Sequence, residues 1–285
     1  MRIILTSLLR STALGFMLCC QWPLLAQQAS PSTSSTPSTS STPSASSTPS
    51  SSSSPKTAVQ WYNQGVDKLA AQDYKGAVQD FSESIKLNPK DADAFYNRGY
   101  AQHILGKYDP AIADYNKAIE LNPKFAYAFG NRCYAFYLLK QYDKAIQDCS
   151  NAIKLNAKYA DFYIYRGNAQ DDLGKHKIAL TDYNEAIKIN PKSANAYYNR
   201  ALLYNRLKQP DKALADYSKS IEFNAKFADA YYNRGLTYYQ LKNPTKAIAD
   251  LEKAAQLFKS QGKGVNAQKA QETLDAMKQA GDVKS

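Results

Sequence analysis

A chain of 285 residues with 36 Lys and Arg against 25 Asp and Glu carries a formal charge of +11, and its four Cys and two His are too few for a disulfide-stapled miniprotein or a zinc site of ordinary ligand spacing. No GxGxxG or GxxxxGK[ST] run and no apolar stretch of about 18 residues occurs, which removes the sequence case for dinucleotide or P-loop chemistry and for an integral membrane bundle.

Residues 1–26 have the plan of a secretory signal peptide: Arg2 and Arg10 in the basic start, an apolar stretch from Ala13 to Cys20, and Ala26 as the small residue at the cut before Gln27. An uncleaved anchor is the rival reading. A lipid-modified Cys19 or Cys20 is a weaker third, because Leu18 and Cys19 stand where a small residue is usual. Residues 27–57 follow as a linker. Proline recurs at 31, 37, 43, 49 and 55, and 20 of the 27 residues from Ala29 to Pro55 are Ser or Thr. Such a segment lacks the apolar surface needed to offset its ordering entropy, so disorder is expected, as a spacer or a glycosylated stalk. A spacer behind an export signal implies an extracytoplasmic protein, periplasmic or secreted, held near a membrane or wall.

From Ala58 the sequence repeats every 34 residues. Alanine falls at 77, 111, 145, 179, 213 and 247, aspartate at 80, 114, 148, 182, 216 and 250, and an aromatic at 61, 95, 129, 163, 197 and 231. Six units result: 58–91, 92–125, 126–159, 160–193, 194–227 and 228–261. Each holds two helical stripes. In the second, Phe95, Gly99 and Gln102 share one helix and Ala111, Tyr115 and Ala118 the next, joined through Gly106 and Lys107, with Asn122-Pro123 as the stop. Residues 262–285 add a stripe of Ala267, Ala270, Leu274 and Met277, which reads as a capping helix.

Trp61, Gly65, Ala77, Phe81 and Pro89 of the first unit, and Tyr231, Gly235, Tyr238, Ala247 and Leu251 of the sixth, resemble the tetratricopeptide repeat pattern. Arg replaces the pattern's Leu in five units, and Ala157 and Ala225 replace its Pro in two. The resemblance implies an all-α, right-handed superhelical solenoid of helix-turn-helix repeats with first helices lining a concave groove. It also implies a binding module rather than an enzyme, with no cofactor and no metal. Nucleic acid is not expected as a partner, because the lysines gather at turns while Asp93, Asp161, Asp171, Asp172 and Asp229 occupy first helices with only Arg206 opposing them.

Candidate chemistry is sparse. His103 and His176 have no nucleophile beside them and read as solvated, and the adjacent Asp171 and Asp172 point about 100° apart on a helix, which is unsuited to a shared proton. Cys133 and Cys149 read as buried apolar filler. A disulfide is chemically possible after export, but the pair counts as a helical turn out of step, beyond the roughly 7 Å Cα separation a bond tolerates. Arg98, Arg132, Arg166, Arg200 and Arg234 recur every 34 residues, while unit one has Gln64. Pairing each with the Asp of the preceding unit, as in Asp80 with Arg98, would explain why the first unit lacks one.

The family resemblance also places Asn63, Asn97, Asn131, Asn199 and Asn233 on the groove, as a ladder like that of the O-linked N-acetylglucosamine transferase repeats. An amide donates and accepts, so such a row can hold a peptide backbone regardless of sequence. Tyr62, Tyr96, Tyr198 and Tyr232 lie beside them as side-chain-selecting surface. The chaperone-tail carboxylate clamp looks absent, since its lysine position is uncharged here. The expectation is an exported scaffold binding a protein or extended peptide; the alternative is a structural subunit of an envelope assembly without discrete peptide capture. Oligomeric state stays open.

Overall fold

A computed structural model describes residues 55–282, and the signal-peptide segment and nearly all of the Ser/Thr/Pro linker lie outside the described residues. From Ala58 the chain forms thirteen helices and, among the described residues, no strand: α1 (Ala58–Ala70), α2 (Tyr74–Leu87), α3 (Ala92–Ile104), α4 (Tyr108–Leu121), α5 (Ala126–Leu138), α6 (Tyr142–Leu155), α7 (Ala160–Asp172), α8 (His176–Ile189), α9 (Ala194–Arg206), α10 (Pro210–Phe223), α11 (Ala228–Gln240), α12 (Pro244–Ser260) and α13 (Gly264–Asp282). They pair as six helical hairpins followed by one unpaired helix. Each first helix packs on its own second helix, and each second helix packs on the first helix of the next hairpin. Successive first helices also touch one another, with no comparable contact between successive second helices. The first helices therefore line the inner side of a superhelical solenoid, and the second helices its outer side.

The hairpins close because the repeated small residues vanish into the interface. Ala77, Ala111, Ala145, Ala179, Ala213 and Ala247 are fully buried, and four residues later Phe81, Tyr115, Cys149, Tyr183, Tyr217 and Leu251 fill the space they leave. The facing first-helix residue must be small. A Cβ on Gly65 would come within 2.8 Å of the Phe81 ring, and one on Gly167 within 2.7 Å of Tyr183. α13 closes the open end: Ala270, Leu274 and Met277 are buried against Leu251, Ala254 and Phe258.

Local chemistry sets the helix ends. Second helices α2, α4, α6, α8 and α10 each stop before an Asn (88, 122, 156, 190, 224), whose carboxamide oxygen accepts the N–H of the Lys two residues on at 3.0–3.3 Å. This Asx turn works with or without the following Pro, so Ala157 and Ala225 change nothing: α6 and α10 end in step with the others. α12 has no such Asn and runs on for 17 residues instead of 14.

First helices end on a residue in the left-handed region. Gly106 (φ 74°) and Gly174 (φ 76°) adopt it freely, but Gln72, Lys140, Lys208 and Lys242 sit there at 57–60° with a Cβ. Replacing Lys140, Lys208 and Lys242 by Gly should each raise stability, by about 0.5–1 kcal/mol in urea denaturation. The same change at exposed Lys253, in the middle of α12, should lower it by a similar amount.

Candidate functional site

The face formed by the first helices runs through all six hairpins, and what it offers depends on which side chains the scaffold consumes. The arginines are consumed. Arg98 donates from Nε and Nη2 to the two oxygens of Asp114 at 2.8 and 2.7 Å, and from Nη1 to Ser82 Oγ at 3.1 Å. Arg132, Arg166, Arg200 and Arg234 grip Asp148, Asp182, Asp216 and Asp250 in the same way, and reach Asn116, Ser150, Asn184 and Ser218. Each guanidinium also lies 5.4–5.7 Å from the aromatic ring three residues before it.

This corrects the ionic ladder between repeats. The Asp partner is in the same hairpin, not the preceding one, because these aspartates are only 3–7% exposed and their charge is met by the nearest cation across the hairpin. What crosses to the preceding repeat is the third arm, to a Ser or Asn two residues beyond that repeat's Asp. The first repeat has no predecessor to reach, which still accounts for Gln64; there Lys68 meets Asp80 at 2.8 Å.

The asparagines are largely consumed as well. The Nδ2 of Asn97 donates to Tyr62 Oη, that of Asn131 to Tyr96 and that of Asn233 to Tyr198, each at 3.0 Å and each joining successive first helices. Asn199 finds Ile164 where a tyrosine would stand and turns back to the carbonyl of Asn195 at 2.9 Å. Tyr232 meets Thr273 of α13 at 3.3 Å. Asn131, Asn199, Asn233, Tyr96, Tyr198 and Tyr232 are buried. Tyr62 and Asn97 are half-buried, and Asn63 is exposed. Burial, helped by Asp93 and Asp91, pushes the Tyr62 phenol up to about 12, so it stays neutral at physiological pH.

Cys133 and Cys149 form a disulfide with Cα atoms 5.4 Å apart, overturning the expected separation. Both are fully buried. They occupy the positions held by Gly65 and Phe81 in repeat one and by Gly167 and Tyr183 in repeat four, so the bond replaces the small-against-aromatic contact. His103 is a second correction. It is buried rather than solvated, with its ring stacked 5.3 Å from Tyr134 and edge-on to Tyr108. Burial lowers its pKa from 6.5 to about 4. The unfolded chain then binds the proton first, so stability is present above pH 6.5 and falls as the pH drops toward 4. Between pH 7 and 5 the loss should be about 2 kcal/mol, and His103→Phe should remove it from the pH profile of urea unfolding.

The centre of the face departs from the repeat. Gly130 stands at the tyrosine position, and a Cβ there would be 2.1 Å from the Phe162 ring. Tyr165 stands at the asparagine position and stacks on Tyr134 at 4.5 Å. Beside them, buried Asp171 is held by His176 Nδ1 at 2.7 Å and Arg206 Nη1 at 2.8 Å. Its pKa is raised by burial despite both partners. His176 is thus half-buried and paired rather than solvated. Tyr137 Oη donates to Asp172 at 3.1 Å and Arg206 lies 3.3 Å from it.

Asp93, Asp161 and Asp229 share one register near the starts of α3, α7 and α11, and burial raises the pKa of each. Asp229 has Lys263 at 3.6 Å, and Asp161 a hydrogen bond with Tyr159. Among the described residues no group of three or more His, Cys, Asp and Glu side chains is arranged to hold a metal ion. No described helix is long and apolar enough to cross a membrane.

No curated protein matches the chain in sequence. Among solved structures, it is similar to a chain of the APC/C hetero-tetramer Cut9–Hcn1 (TM-score 0.69, 19% identity, covering 78% of this chain and 43% of that one). It is also similar to Pseudomonas aeruginosa pilF (0.62, 16%, 76% and 97%) and to yeast Tom70 (0.61, 19%, 80% and 55%). The chain thus spans under half the length of the Cut9–Hcn1 chain. The likenesses establish the superhelical fold. Family models described as tetratricopeptide repeat match residues 92–125, 194–227 and 228–260, and models described as TPR repeat match 65–106 and 167–208, so that with six helical hairpins in tandem the chain belongs to the tetratricopeptide repeat family.

Proposed function

We propose that the protein is an extracytoplasmic scaffold whose first-helix face holds an extended segment of a partner protein. A continuous inner face running through six repeats, with its arginines and most of its amides already bonded within the scaffold, carries this reading. The asparagines then act mainly by fixing the tyrosines, and Asn63 and Asn97 at the N-terminal end remain the members a ligand reaches. Carboxylates at 93, 161 and 229, raised in pKa by burial, favour neutral or basic ligand segments over acidic ones.

The buried Cys133–Cys149 disulfide supports export, because such bonds persist in oxidising compartments and are rare where thiols are kept reduced. The N-terminal signal-like segment and spacer agree with that placement. Sequencing the mature N-terminus, with fractionation of membrane and soluble material, tests it: a chain starting at Met1 in the cytoplasm overturns the assignment.

Capture from the extracytoplasmic fraction tests the binding mode. Peptide holding predicts a spread of weakly bound extended segments, competed by salt. A single stoichiometric complex that survives salt would instead mean assembly into an envelope structure. Asn63→Lys with Asp93→Lys, at an exposed and a partly covered surface position, should abolish capture while leaving the thermal melt in place.

A further inference from the structure

Five junctions join the six first helices, and their groove-side ties are of three kinds. The first, second and fifth are tied by a neutral amide–phenol bond: Asn97 to Tyr62, Asn131 to Tyr96, Asn233 to Tyr198. The third is closed by rings, with Phe162 seated on Gly130 and Tyr165 stacked on Tyr134, and by the Tyr137 hydroxyl donating to Asp172. The fourth, between α7 and α9, is different. Ile164 has no hydroxyl to offer, and Asn199 is bonded within its own helix. The polar tie there is ionic: Arg206, 48% exposed, reaches Asp171 at 2.8 Å and Asp172 at 3.3 Å, beside the apolar packing of Ile164 with Ala196.

We infer that the junction between repeats four and five is the joint of the solenoid, with repeats one to four on one side and repeats five, six and α13 on the other. Neutral amide–phenol bonds and stacked rings are insensitive to ionic strength. An ion pair whose cation is half in water is screened by salt and is weak on its own. The third arm of Arg200 still crosses this junction to Asn184 at 2.7 Å, as its counterparts do at every other one, so the difference lies on the groove side. Loosening the Arg206 tie lets α7 and α9 part and widens the groove at that one place, fitting it to bulkier segments of a ligand. Asp171 stays partnered by His176 and Asp172 by Tyr137 when Arg206 leaves, so the opened state strands no buried carboxylate.

Amide hydrogen exchange on the full chain tests this without any ligand. Raising sodium chloride from about 0.02 to about 0.5 M should speed exchange in α9 by roughly threefold while leaving α3 and α11 unchanged. Arg206→Gln should produce that rise at low salt and remove the response to salt. Adding Ile164→Tyr to Arg206→Gln should restore protection. It gives Asn199 the phenol its counterparts use, on a site where Ser193 stands in place of the Phe125 and Phe227 rings that pack on Tyr96 and Tyr198. Should the double variant fail to fold, the salt response of Arg206→Gln decides alone. Exchange rising equally in all first helices, or unchanged by salt and by Arg206→Gln, overturns the joint.

Discussion

Removing Arg166 by substitution with Met should lower the stability of the array by about 4 kcal/mol, the largest single-residue effect expected in this chain. Asp182 is 3% exposed and takes two of its hydrogen bonds from that guanidinium. Without it a carboxylate stays buried with no counter-charge, and Ser150 loses its link to the next repeat. The cost arises from the stranded charge rather than from the net worth of the pair. Arg166→Met combined with Asp182→Leu should therefore recover most of the loss. Lys188→Met is the control: its partner Glu185 lies on the surface, and the change should stay under about 0.5 kcal/mol. Urea titrations of the four proteins check the set. A double variant as unstable as Arg166→Met would mean that the shape of the pair, and not its charge, holds the hairpin.

The second large effect concerns the disulfide. Cys133→Ala with Cys149→Ala should cost about 3 kcal/mol, since the bond closes a loop across one hairpin with a sequence separation of 16. Part of that loss is packing, because two alanines leave the slot that Phe81, Tyr183 and Tyr217 fill in other repeats only partly occupied. Cys133→Gly with Cys149→Tyr installs the pair found in repeats two and four and should be more stable than the double alanine by about 1–2 kcal/mol. Dithiothreitol should destabilise the parent and leave both variants unaffected, which separates the covalent contribution from the volume.

The helices and their order were legible because a 34-residue period repeated over six units fixes both the apolar stripes and the turns between them. The register across each hairpin was also present but was not read. Arg98 and Asp114 lie eight residues either side of Gly106, and Cys133 and Cys149 lie eight either side of Gln141. Two antiparallel helices bring residues equidistant from their turn level with each other. That one rule gives both the ion pairs within repeats and the disulfide, whereas counting turns along a single helix set the cysteines out of step. The alternating Ser and Asn at 82, 116, 150, 184 and 218 carried a signal too, as polar residues kept at strict period on a helix otherwise variable there.

The tyrosine–asparagine ties were visible as Asn following Tyr by 35 residues, at 62 and 97, 96 and 131, and 198 and 233. A groove-facing amide and an amide bonded to the next helix have the same sequence signature, so only the side-chain geometry separates them. His103 carried no signal of burial, because its ring is covered by Tyr108 of its own hairpin and Tyr134 of the following one.

The differing ties along the inner face also govern how such an array can lengthen. A copy of repeat two inserted after itself would find every fitting it needs: its Asn donates to the tyrosine behind it, its tyrosine accepts from Asn131, and its arginine reaches Asn116 as Arg132 does. A copy inserted between repeats three and four would separate Gly130 from the Phe162 ring and Tyr134 from Tyr165, and would set a tyrosine where the ring must seat. Repeats three and four are thus matched to each other and propagate only as a pair, while repeat two can be copied in place. Such an array lengthens by single units beside repeat two, and its disulfide-bearing centre changes length only by whole pairs.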